Sequence, residues 1–277
     1  MFLLFLQSEM KTDRHIDIMG IVNLTDDSYF AQSRCESIDA VLKRTHQMVS
    51  DGADIIDVGA CSSRPGSAAV GPDVEWSRLR PALEAMNTHF PEIRISVDTY
   101  HSSVVERVHD LIGDFIVNDI SAGEDDPHML TTVARLGLEY VAMHKRGNSL
   151  TMQSMTDYDD VTDSLVTYFN EFAVRAEEAG VKKWILDPGF GFAKTVEQNY
   201  QLLNDLDVIA DKVSGSPRIL VGVSRKSMIY KPLDLQPDDV LSATQAVHMV
   251  SLMKGADILR VHDVKEARQT VRLYQFL

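Results

Sequence analysis

Eight short apolar runs punctuate the chain, at 16–22, 54–59, 93–98, 115–118, 140–144, 184–187, 219–224 and 258–262, and each ends in polar or charged residues. Within each run Val, Ile and Leu fall on consecutive positions, the pattern of strands buried on both faces of a parallel sheet. Amphipathic stretches lie between them: 37–50 carries Ile38, Val41, Leu42, Thr45, Met48 and Val49 on one stripe, with Lys43, Arg44 and Gln47 opposite. Segments 159–179, 196–206, 238–254 and 264–274 read the same way. Gly52 and Gly180 stand where helices should stop, and Pro72-Asp73 and Pro237-Asp238 where they should start. Strand alternating with helix eight times predicts an α/β fold, a single (β/α)8 TIM barrel, with its active site at the C-terminal ends of the strands. An open doubly wound sheet lacks its signature, because Asn23-Leu24-Thr25-Asp26-Asp27 follows the first strand in place of G-x-G-x-x-G.

The 277 residues suit one such barrel. A formal net charge of -14 excludes a general nucleic-acid or anionic-membrane binder, so any anionic ligand must meet a local basic pocket. Two cysteines, Cys35 and Cys61, can form neither a disulfide framework nor a closed zinc site. The apolar run at 1–6 has no basic flank or small-residue cleavage site and is too short to span a bilayer. Residues 1–15 are therefore expected to pack as an extension on the barrel base, 16–277 to form the barrel, and the protein to be cytoplasmic.

Asn23, Asp57, Asp98, Asn118, Asp119, His144, Asp187, Ser224, Arg225, Lys226, Arg260 and His262 lie at or just past the ends of the apolar runs. One Asp or Ser there is an ordinary helix cap or turn residue. Asp98 within Ile95-Ser96-Val97-Asp98-Thr99 and Arg260 within Ile258-Leu259-Arg260-Val261-His262 are different, because a charge inside a buried strand needs a partner or a ligand. The polar ends divide by chemistry. Asp98, Asn118 and Asp187 supply acceptors and one amide, and a carboxylate can accept from an amino-pyrimidine's exocyclic NH2 and adjacent ring N–H together. Arg64, Arg225, Lys226, Arg260 and His262, with Asn23, suit a diphosphate, and Asn23 offers an oxygen to Mg2+. A ligand with a heterocyclic head and an anionic tail is implied. The run Gly189-Phe190-Gly191-Phe192-Ala193-Lys194-Thr195 is not a Walker A loop, since Ala193 stands before the Lys; it reads as a glycine-rich turn in which Phe190 or Phe192 either stacks on a flat ligand or simply packs.

From near residue 16 to its end the chain resembles dihydropteroate synthase. The resemblance rests on Met19-Gly20-Ile21-Val22-Asn23-Leu24-Thr25, Gly52-Ala53-Asp54-Ile55-Ile56-Asp57-Val58-Gly59, Ser63-Arg64-Pro65-Gly66, Ser96-Val97-Asp98-Thr99 and Val117-Asn118-Asp119-Ile120-Ser121. It continues through Met143-His144, Leu186-Asp187-Pro188-Gly189-Phe190-Gly191-Phe192, Gly222-Val223-Ser224-Arg225-Lys226-Ser227 and Arg260-Val261-His262-Asp263. It implies a transferase that condenses 6-hydroxymethyl-7,8-dihydropterin diphosphate with 4-aminobenzoate, releasing diphosphate. By resemblance Asp98, Asn118, Asp187 and Lys226 hold the pterin with Met143 and Phe192 nearby. Asn23, Ser63, Arg64, Arg260 and His262 meet the diphosphate, with Mg2+ at Asn23. The aminobenzoate, or a sulfonamide mimicking it, enters near Ser224, Arg225 and Pro65. Arg64, Asp98, Asp187 and Lys226 are the expected catalytic residues, and a homodimer formed through the C-terminal helices is implied.

The family's first loop usually reads Thr-Pro-Asp-Ser-Phe-Ser-Asp-Gly-Gly, whereas here it is Thr25-Asp26-Asp27-Ser28-Tyr29-Phe30-Ala31-Gln32-Ser33. The usual Gly-Glu-Ser-Thr-Arg-Pro of the second loop is Ala60-Cys61-Ser62-Ser63-Arg64-Pro65. Asp27, Tyr29 and Arg64 are therefore the candidates for loop function, with Pro65 beside them. Two rival readings keep the pterin pocket: a methyltetrahydrofolate-dependent methyltransferase, which does not need the Ser224-Arg225-Lys226 and Arg260-x-His262 anion site, and a non-catalytic pterin-binding paralogue, which the altered loops favour.

Overall fold

The computed structural model describes residues 14–24, 34–61, 70–147 and 150–277. Among them eight parallel strands close into a barrel in chain order. They are β1 (Asp17–Asn23), β2 (Ile55–Gly59), β3 (Arg94–Asp98), β4 (Ile116–Asp119), β5 (Glu139–Met143), β6 (Trp184–Asp187), β7 (Arg218–Val221) and β8 (Ile258–Val261), and β8 pairs with β1 to complete the ring. The principal helices outside it are α1 (Arg34–Ser50), α2 (Pro72–His89), α3 (Ser102–Ile112), α4 (Met129–Leu136), α5 (Val161–Ala179), α6 (Val196–Asn204), α7 (Leu206–Lys212), α8 (Ser227–Tyr230), α9 (Leu241–Met253) and α10 (Val264–Tyr274). The expected barrel is the observed one. The amphipathic stretch 196–206 proves to be parts of two helices: Asp205 ends α6 and precedes α7, its carboxylate accepting from Thr162 Oγ1 at 2.7 Å. The stretch beginning at 238 becomes α-helical only at Leu241, because a 3-10 turn over Pro237–Asp239 comes first.

Side chains on a strand alternate between faces, so residues two apart share the barrel interior. Met19, Ile55, Ile116, Val141, Ile185, Leu220 and Ile258 form one buried apolar cluster, separate from the larger core between barrel and helices. This cluster is the interior layer. Two residues further along the same strands come Asp57, Asn118, Met143, Asp187 and Arg260, and on β3 the pair Ser96 and Asp98 continues the series. These are the mouth of the barrel. Two residues earlier come Asp17, Glu139 and Arg218, joined by Arg94 of β3, and these are its base. Seven of the eight inward columns thus carry a polar group at one or both ends of an apolar residue, and that of β3 is polar throughout.

At the base, Asp17 is 3% exposed in its side chain and accepts from Arg218 Nη2 at 2.8 Å and Arg94 Nη1 at 3.2 Å, with His15 Nε2 at 3.0 Å. Burial pushes its pKa up, but hydrogen bonding and charge from Arg218, with help from Arg94, win and hold it below its ordinary 3.8. A lowered folded-state pKa adds stability above 3.8 that disappears as the pH falls through the folded value. Asp17→Asn should therefore cost about 1–2 kcal/mol at pH 7, a modest figure because both arginines are partly solvated. The melting difference from wild type should shrink as the pH falls below 3.8; a difference that does not change with pH there would show that charge is not the cause.

Residues 1–13 lie outside the described residues, so the expected packing of the 1–15 extension concerns only Arg14 and His15 here; Arg14 Nη2 holds Asp257 Oδ1 at 2.7 Å near the same end. No helix among the described residues is long and apolar enough to cross a membrane.

Candidate active site

The mouth of the barrel is organised around Asp57. Its buried carboxylate accepts from Ser96 Oγ at 2.6 Å, from Asn118 Nδ2 at 3.2 Å, and from Arg260 Nε at 2.8 Å. Arg260 then turns Nη2 to Asp98 Oδ2 at 3.0 Å. One guanidinium therefore bridges two carboxylates, which outweigh the opposing effect of burial and raise its pKa; it is a permanent cation. Gly59, level with Asp98 across β2 and β3, makes room for that carboxylate: a Cβ there would stand 3.2 Å from Asp98 Cβ.

Asp98 is level with Asn118, and Met143 with Asp187, so these four residues line adjacent strand ends in two register pairs. Burial pushes the Asp98 pKa up to about 7; Arg260 opposes this, while Asp57, Glu75 and Asp119 add to it. Burial also raises Asp187, against Lys226, a hydrogen bond from Gly189 N–H and Arg260. Lys226 Nζ donates to Phe190 O at 2.6 Å and lies 4.9 Å from the Phe192 ring centroid. Burial brings it down to about 8 in spite of Asp187. The result is two carboxylates, an amide, an ammonium and an aromatic ring around one space, a donor and acceptor set for a flat, nitrogen-rich heterocycle. Phe190 itself is fully buried in the outer core, so Phe192 is the ring that remains available to a ligand.

On the opposite side, His262 Nδ1 lies 3.2 Å from Ser224 Oγ, and Arg44 of α1 donates to the His262 carbonyl at 2.6 Å. Burial, seconded by Arg260, lowers His262 to about 4, so its ring is neutral near pH 7. Arg225 adopts a left-handed backbone (φ 56°) and spends its guanidinium on Asp263, through Nε at 2.9 Å and Nη2 at 2.8 Å, and on Asp238 at 2.6 Å.

The family described as pterin binding enzyme matches residues 19–262, a span that runs from β1 to just past β8. The chain belongs to this family. Its relatives are specific: dihydropteroate synthase of Escherichia coli K12 is 40% identical over 274 residues, 98% of this chain and 95% of that protein. The crystal structure of the Clostridium difficile dihydropteroate synthase with pteroic acid superposes with a TM-score of 0.87 at 35% identity, covering 95% of this chain and 97% of that one. That of the Thermus thermophilus enzyme with 4-aminobenzoate gives 0.83 at 35% identity, covering 97% and 96%.

In terms of this family, the structure brings Asp98, Asn118, Met143, Asp187, Phe192, Lys226 and Arg260 to the barrel mouth, with Ser224 and His262 beside them. Asn23 ends β1, level with Gly59. Asp27, Tyr29, Ser63, Arg64 and Pro65 lie outside the described residues, as does the side chain of Cys35. Cys61 is a free, half-buried thiol whose pKa is pushed up by burial and by Glu75, so it is a poor nucleophile. Asp119, one residue past Asn118, faces the other way: it accepts from Tyr140 OH at 2.6 Å, Ser121 N at 2.7 Å and Gly123 N at 2.9 Å, and shapes the turn after β4. Asp57 is legible in the sequence as one of the polar strand ends but not as the centre of the site. The available signal was its spacing, two residues past the interior Ile55.

Proposed function

We propose that this chain works as a dihydropteroate synthase, a transferase of folate biosynthesis that joins 6-hydroxymethyl-7,8-dihydropterin diphosphate to 4-aminobenzoate. The observation that carries the site assignment is the convergence of Asp98, Asn118, Asp187 and Lys226, from four elements, around one half-buried space backed by Arg260. In this reading the two carboxylates accept from the pterin's amino and ring N–H groups and favour positive charge on the ring as the exocyclic C–O bond loosens. The arylamine nitrogen forms the new C–N bond to the methylene carbon, diphosphate leaves with the C–O electron pair, and the amine gives up its proton afterwards. Arg260 and neutral His262, with Arg64 and Ser63 of the second loop, are the proposed diphosphate partners, and Ser224, Arg225 and Pro65 the proposed border of the aminobenzoate site. Arg225 would serve there as a rigid wall, since its donors are already shared with two carboxylates. Asp27 and Tyr29 are the proposed first-loop contributors.

Mg2+ is part of the proposal. Among the described residues no group of three His, Cys, Asp or Glu is placed to hold a metal, whereas Asn23 offers one side-chain oxygen at the rim. Such a donor set fits an ion that arrives on the diphosphate and keeps several waters. When bound, it supplies charge neutralisation to the departing diphosphate. A homodimer is also proposed, supported by the exposed Met253, Leu273, Phe276 and Leu277 at the ends of α9 and α10, and the cytoplasm as its location.

The test is turnover. With Mg2+, pterin diphosphate and 4-aminobenzoate, the purified protein should release diphosphate and dihydropteroate in equal amounts, and chelation of the ion should slow both at least about tenfold. Tight pterin binding with no product at high enzyme concentration would overturn the synthase reading in favour of a non-catalytic binder.

A further inference from the structure

Lys194 has no part in the chemistry above, yet it is a lysine only 6% exposed. It closes the turn after β6, where Gly189 (φ 69°), Gly191 (φ 81°) and Ala193 (φ 51°) alternate left-handed with their neighbours. Its Nζ lies 2.9 Å from Gly189 O, 2.9 Å from Phe192 O and 3.1 Å from His144 Nδ1. An ammonium has three N–H donors, and each finds an acceptor here. His144 must then present a bare Nδ1, which agrees with its pKa being lowered well below normal by burial and by Lys194. The rings of Tyr168 and Tyr158 pack on His144 at 4.8 and 6.2 Å between centroids and hold it in place.

Every group that Lys194 ties down connects to the pterin side of the mouth. Gly189 offers its carbonyl to Lys194 and its N–H to Asp187 Oδ1 at 2.8 Å. The turn is pressed against β5 so closely that a Cβ at residue 189 would stand 2.0 Å from His144 O. Phe192 gives its carbonyl to Lys194, while its ring lies beside Lys226 Nζ. Two lysines therefore hold one loop, Lys226 from the mouth and Lys194 from behind. Burial pushes Lys194 down to about 7 against the pull of Asp187, and Lys226 and Arg146 push in the same direction. The three contacts offset part of that cost and tie the amine to the loop.

We infer that Lys194 is a positioning residue for the pterin, fixing the loop after β6 so that Asp187 and Phe192 are in place before the heterocycle arrives. This rests on the assignment of that pocket to the pterin. The test is a kinetic split. Lys194→Met should raise KM for pterin diphosphate about tenfold or more and lower kcat with it through Asp187, while the KM for 4-aminobenzoate changes less than about threefold. Lys194→Gln keeps two donors, protects the fold should the methionine variant fail to accumulate, and should fall between. Arg218→Met, at the far end of the barrel, should lower the melting temperature and move neither KM, which separates loss of stability from loss of position. Lys194 variants that leave the pterin KM unchanged, or raise both KM values equally, overturn the inference. A wild-type protein that does not saturate with pterin diphosphate overturns the pocket assignment beneath it.

Discussion

Arg260→Met is expected to destabilise the fold by about 3–5 kcal/mol and to lower turnover by about three orders of magnitude or more. The two losses have different origins. Stability falls because Asp57, fully buried, keeps only Ser96 and Asn118 as donors among the described residues when it loses a guanidinium bound through Nε at 2.8 Å and Nη2 at 2.6 Å. A buried carboxylate stripped of its counter-charge is costly however well the methionine packs. Turnover falls further because the same guanidinium is a proposed partner of the departing diphosphate. A second substitution separates the two. Adding Asp57→Asn removes the orphaned charge, so the double variant should recover most of the lost melting temperature and little of the lost turnover. Recovery of both together would make Arg260 a structural counter-ion and nothing more. A single variant that melts like wild type would show that Asp57 does not depend on it.

The architecture was legible because parallel strands covered on both faces cannot alternate polar with apolar residues; their consecutive Val, Ile and Leu runs announced eight strands without ambiguity. Which polar residue faces the mouth was harder to read. Asn118 and Asp119 are neighbours of similar chemistry, yet one donates to Asp57 and the other shapes a turn with Tyr140 and Ser121. What separates them is register against the interior layer: Asn118 stands two residues past Ile116 and Asp119 three. Counted that way, Asp57 and Arg260 both face the mouth, two residues past Ile55 and Ile258. Partners brought together from afar were not legible by any counting. Arg225 looks like a free cation until Asp238 and Asp263 are seen to hold it, and His262 looks basic until burial beside Arg260 is seen to keep it neutral. Lys194 read as the tail of a glycine-rich turn, because its three acceptors come from the fold of that turn and from the end of β5.

Asp98→Asn should weaken pterin diphosphate binding by roughly two to three orders of magnitude at pH 8, corresponding to the loss of two hydrogen bonds to a charged acceptor. The asparagine keeps the volume but turns one acceptor into a donor that would face a donor on the pterin. The clearer signature is in the pH dependence. Burial holds Asp98 at about 7 in the free protein, even with Arg260 Nη2 3.0 Å away. Because the carboxylate is the form that accepts, kcat/KM for pterin diphosphate should fall as the pH drops through about 7, by about tenfold for each further unit. The raised pKa thus makes the site weaken in acid, the opposite direction from a histidine that must be protonated to work. In Asp98→Asn that limb should vanish, leaving only the one set by Asp187, whose carboxyl is also raised by burial but is eased by Lys226 and Gly189. An Asp98→Asn protein that keeps the wild-type limb would transfer the titration to another group and remove Asp98 from the pterin contact. Wild-type kcat/KM that stays flat from pH 8 to pH 5 would mean that Asp98 does not meet the ring as a carboxylate.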